Sequence, residues 1–122
     1  MDTILWIAQV LMAFVFFMSG IMKVTQPEEK LKERMGFIDD LPKGSIRLIG
    51  ALEVAGAIGL ILPWLLDILP ILTPIAAVGL VLTMIGAALT HLRRKEYPGI
   101  AVNLVLLGIV AFIAVGRFGL IA

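Results

Sequence analysis

The sequence predicts an all-α integral membrane protein, a four-helix bundle with a short amphipathic interfacial helix in its first connection. Three observations predict it. Mean hydropathy is +1.08, with 61% apolar and only 16% charged residues, a balance outside that of domains that fold in water. The apolar residues gather into four runs, each close to the roughly 20 residues needed to cross a hydrocarbon core about 30 Å thick. None of the runs alternates apolar with polar residues, and four are too few for a closed barrel, so helices rather than strands must satisfy the backbone in lipid.

The first span is read over residues 4–23. Its run from Ile4 to Met22 is broken only by Gln9 and Ser19, and Lys23 and Pro27 close it. It begins Met1, Asp2, Thr3 and stays bulky to Met18, so it reads as a retained helix rather than a signal peptide with a basic leader and small-residue cleavage site. The second span is read over 45–66, with Arg47 near its start, Glu53 inside it, and Pro63 and Pro70 as points where regular helix should stop. The third is read over 73–92, Thr73 serving as N-cap and Pro74 suiting the first turn, with Arg93, Arg94 and Lys95 beyond it. The fourth, over 100–120, follows the Pro98-Gly99 break. In the first connection, Pro27, Glu28 and Glu29 read as a helix start, with Leu31 and Met35 four apart, which fits a helix lying at the interface. One transmembrane domain, 1–122, accounts for the chain.

Nine of the ten basic residues flank the first and third connections, with Arg117 the exception. The positive-inside rule places those connections in the cytoplasm and both termini outside. Arg117 reads as an interfacial anchor. A net charge of +1 gives no reason to expect a nucleic-acid partner. With no cysteine, the chain supplies no disulfide, thiolate metal site or thiol redox centre.

Polar groups inside spans are costly and mark sites. Glu53 lies about seven residues into the second span, roughly 10 Å deep at 1.5 Å per residue, where an unpaired carboxylate would cost several kcal/mol or be forced to protonate. Lys23 or Arg47 are its nearest cationic partners. Ser19 stands one turn from Lys23, His91 closes the third span on the same side, and Asn103 lies about one turn into the fourth. Ser19, Lys23, Glu53, His91 and Asn103 therefore define a candidate polar pocket in the cytoplasmic half. The opposite half offers little beyond Gln9, Thr73 and Arg117. Gln9, Phe16 and Lys23, spaced by sevens, mark an inward stripe of the first helix, and Gly79, Thr83, Ala87 and His91, spaced by fours, read as a packing seam of the third.

Each pocket residue has a plainer role available: Lys23 as an anchor, His91 as a headgroup-level residue, Asn103 as an interhelical hydrogen bonder, Glu53 as half of a structural ion pair. No catalytic triad can be assembled, since the only serines are Ser19 and Ser45. One histidine and one deep carboxylate make a poor metal site, and the glycines lie at helix-packing spacing rather than in a phosphate loop.

Ser19-Gly20-Ile21-Met22-Lys23, the stretch RLIGALEVAGAIG from Arg47 to Gly59, LTPIAA from Leu72 to Ala77, and the run from His91 to Glu96 followed by Asn103 together resemble the DoxX-like family. The resemblance covers nearly the whole chain and is specific in combination. It implies a small four-helix bacterial inner-membrane protein and says little about reaction. The family takes its name from a membrane subunit associated with quinone-linked thiosulfate oxidation, and the animal chaperones of nicotinic receptor assembly are distantly similar in their membrane core. Beside the residues, these precedents give a first expectation of a binding or assembly protein, holding a lipid-like molecule or partner transmembrane helices, in a homodimer or with another membrane protein. The alternatives are an accessory subunit of a quinone-linked oxidoreductase, with a quinone as ligand, and then a small proton-coupled transporter. Catalysis by the chain itself is not expected.

Overall fold

The computed structural model describes residues 2–25, 45–93, 95 and 97–119. The expected interfacial helix falls in 26–44, outside the described residues. Four helices make up the described fold: α1 (Asp2–Thr25), α2 (Ser45–Leu66), α3 (Leu72–Arg93) and α4 (Tyr97–Arg117). With 21 to 24 residues each, they extend about 32–36 Å, and all four are long and apolar enough to cross a membrane. Consecutive helices pack side by side and α4 returns against α1, closing a ring around one interior.

The interior is built from stripes that step by threes and fours, the spacing that keeps residues on one helical face. On α1 these are Leu5, Gln9, Met12, Phe16 and Gly20. On α2 they are Gly50, Glu53, Ala57 and Leu60. On α3, Thr73, Ala77, Leu80 and Met84 are buried, and on α4, Asn103, Val110, Ile113, Ala114 and Arg117. Phe16, Met12, Leu60, Leu80, Val110 and Ile113 fill the centre. Large apolar side chains such as Ile7, Phe14, Leu82 and Val105 point outward, while Gln9, Glu53, Thr73, Asn103 and Arg117 are inside. That inversion of the water-soluble pattern suits a lipid surround.

Helix α2 does not stop at Pro63 but continues to Leu66. Proline supplies no N–H to the carbonyl four residues earlier and crowds the backbone there, which in lipid leaves Gly59 O needing a donor. Thr73 Oγ1 donates to Gly59 O at 2.8 Å, and Gln9 Nε2 donates to the adjacent Leu60 O at 2.6 Å. Thr73 is thus inside α3 bonding to its neighbour, not the N-cap its position before Pro74 suggests. Beyond Leu66, Asp67 takes a left-handed φ of 53° and Ile68 N–H returns to Pro63 O at 3.2 Å, a Schellman-type end. Helix α4 begins at Tyr97, with Pro98 in its first turn, where its missing N–H has no intrahelical carbonyl to serve.

The seam expected on α3 divides. Gly79 is exposed and a methyl built on it would meet nothing within 4 Å. Ala87 packs partly against the core. Spacing by fours drifts slowly around a helix of 3.6 residues per turn, so the seam starts on the outer surface and ends nearer the interior.

Candidate functional site

At the Lys23 end of the bundle, α1 and α2 cross in backbone contact. A methyl at Gly20 would lie 2.5 Å from Gly50 O, and one at Gly50 would lie 2.8 Å from Gly20 O, so only glycine permits the approach. Just beside this crossing, Lys23 Nζ donates to Glu53 Oε1 at 2.5 Å. The pair is internal, with side-chain exposures of 12% for Lys23 and 1% for Glu53. Lys23 also lies in the last turn of α1, where the helix dipole favours a cation. Arg47, the other cation in reach by sequence, donates instead to Val24 O, a carbonyl in that same final turn. Ser19 is half-buried one turn from Lys23.

Across the bundle, His91 at the end of α3 lies over the start of α4. A methyl at Gly99 would come 2.8 Å from His91 Nδ1, so the glycine makes room for the half-buried imidazole. One turn further along α4, Asn103 is 8% exposed and its Nδ2 has no hydrogen-bond partner among the described residues. Of the five pocket residues, Lys23 and Glu53 are therefore in direct contact, with Ser19 beside them on α1. His91 and Asn103 lie at the same end on α3 and α4, with Gly99 beside His91 one turn before Asn103.

The other end carries more than its sequence suggests. Arg117 does not reach outward as an interfacial anchor: it turns into the bundle and is 8% exposed. Its Nε donates to Gln9 Oε1 at 2.6 Å and its Nη1 to Asp2 Oδ1 at 2.7 Å. Its Cζ lies 4.4 Å from the Trp64 ring centroid and 5.6 Å from that of Trp6, within cation–π range of both. Burial of a guanidinium at a helix C-terminus is compensated here by a carboxylate, an amide and two aromatic faces. Gln9 bridges this cluster to the Pro63 region through Leu60 O. A signal for this was present in the sequence: Asn103, Val110 and Arg117 repeat by sevens, as Gln9, Phe16 and Lys23 do.

An apolar groove of about 780 Å³ runs between α2 and α3, lined by Gly56, Gly59, Ala76, Gly79 and Thr83 among others. Leu52, Ile75 and Leu82 along it are exposed, so it opens on the lipid-facing surface. None of the five pocket residues lines it. Among the described residues no group of three His, Asp or Glu side chains is placed to hold a metal ion.

Helices of spanning length, an apolar exterior and charges paired in the interior define a multi-pass α-helical membrane protein. A model of the DoxX-like family matches residues 7–113, and the chain belongs to that family. No curated protein and no solved structure matches it.

Proposed function

We propose that this DoxX-like protein is a binding or assembly protein of the bacterial cytoplasmic membrane, taking the polar part of a lipid-like molecule or a partner transmembrane helix at its Lys23 end. The observation that carries this reading is Asn103, a buried amide whose Nδ2 has no partner among the described residues. An unpaired N–H donor in a bundle interior costs free energy that an acceptor oxygen from a ligand or partner would recover. Ser19, His91 and the Lys23–Glu53 pair lie around the same end of the bundle. Lys23 engages Glu53 at 2.5 Å, so the pair lends this end of the bundle a fixed polar edge. A cytoplasmic location for this end, with both termini outside, is supported by the nine of ten basic residues that flank its connections.

Native mass spectrometry of gently extracted protein tests the reading. Wild type should retain a small molecule or a second chain that Asn103→Leu releases. A bare monomer mass in both proteins would count against it.

A further inference from the structure

The Arg117 cluster carries an inference independent of the Lys23 end. A guanidinium has five N–H donors in one plane, and its Nη1/Nη2 edge matches two oxygens of a carboxylate or phosphate. Here Nε is engaged by Gln9 and Nη1 by one oxygen of Asp2, while Nη2 is buried with no partner among the described residues. The fork is held as though for a two-oxygen ligand but receives only half of one. The two partners differ in permanence. Gln9 is fully buried and also tied to Leu60 O, so it fixes the guanidinium from behind, with Trp64 and Trp6 at its faces. The Asp2 side chain is 70% exposed against 5% for Arg117, so Asp2 is the outer partner and the one that an incoming anion meets first.

Position adds the source of the oxygens. Asp2 begins α1 and Arg117 ends α4, so the cluster lies at the end of the spans, where headgroups meet water and where tryptophan is favoured. We infer that Arg117, held by Gln9, Trp6 and Trp64, binds an anionic oxygen group of phosphate chemistry that displaces the Asp2 carboxylate and engages Nη1 and Nη2 together. A lipid headgroup and a free phosphate share that chemistry.

The site has a built-in reporter, because the chain's two tryptophans are the two that flank Arg117. The full chain in maltoside micelles is titrated in one arm with inorganic phosphate at fixed ionic strength, and in the other with phosphatidylglycerol added to the micelles, while tryptophan emission is followed. A saturable change in the lipid arm assigns the headgroup, in the phosphate arm the free anion, and in both arms the group itself. Asp2→Asn removes the competing carboxylate and should tighten binding about tenfold, whereas Arg117→Lys, which keeps charge but loses the fork, should weaken it by a similar factor. Tightening by Asp2→Asn is not expected of a merely structural ion pair, and it stands even if Arg117→Lys fails to fold. No saturable response in either arm from wild type and Asp2→Asn, both helical by circular dichroism, overturns the inference. So does a response that Asp2→Asn leaves unchanged.

Discussion

Replacing Lys23 by methionine should destabilise the bundle by about 3–5 kcal/mol, because it strands a carboxylate in the interior. The size of the effect follows from burial: the Glu53 side chain is 1% exposed and stands one turn along α2 from Gly50 of the glycine crossing, so without Lys23 its carboxylate is left inside the bundle. The reverse substitution is milder. In Glu53→Leu the remaining ammonium is 12% exposed and two residues from the end of α1, so its stem can carry it to the headgroups at a cost of about 1–3 kcal/mol. Removing both charges in Lys23→Met/Glu53→Leu should leave stability within about 1 kcal/mol of wild type, since apolar pairs often replace buried ion pairs without loss. Unfolding in mixed micelles by sodium dodecyl sulfate, followed by far-ultraviolet circular dichroism, gives the three differences and their coupling. Additive single costs, or a larger loss for Glu53→Leu than for Lys23→Met, would refute the reasoning.

The Pro63 region predicts a coupled pair of effects. Thr73→Val should cost about 1 kcal/mol, and less in a Pro63→Ala background, where the restored backbone N–H can serve Gly59 O; equal costs in the two backgrounds would contradict the assignment. Glycine positions should separate by location: Gly20→Ala forces a methyl against Gly50 O and should cost about 1–3 kcal/mol, whereas Gly79→Ala, with open space around it, should be neutral or stabilising by up to about 1 kcal/mol. Thermal unfolding of the two variants in one detergent decides between them. Gln9→Leu removes the link between Arg117 and Leu60 O and should shift tryptophan emission as well as lower stability, because both tryptophans contact the guanidinium it holds.

The four helices were legible because the bilayer fixes the length of an apolar run, and the chain has little else in it. Glu53 was legible for a related reason: an ionisable group at that depth must find a partner, and few cations were within reach. Choosing Lys23 over Arg47 needed the glycine crossing, which sets which turn of α1 faces Glu53. The inward turn of Arg117 escapes the sequence because an arginine at the end of an apolar run usually reaches outward, while its partners Gln9 and Asp2 lie 108 and 115 residues away in sequence. Only closure of α4 onto α1 brings them together. The role of Thr73 escapes the sequence for a similar reason, since the carbonyl that accepts from its hydroxyl is left without a donor by a proline in another helix. The sequence puts Asn103 at the Lys23 end of the bundle, but that its Nδ2 lacks a partner among the described residues is a property of packing alone.

The most direct measurement of the proposed binding role compares unfolding transitions before and after exhaustive delipidation, for wild type and Asn103→Leu. A ligand that binds only the folded state contributes stability that is lost with it. Wild type should lose distinctly more stability on delipidation than Asn103→Leu, which should be at least as stable as stripped wild type because it carries no unpaired amide. Equal losses in the two proteins would contradict a ligand at Asn103.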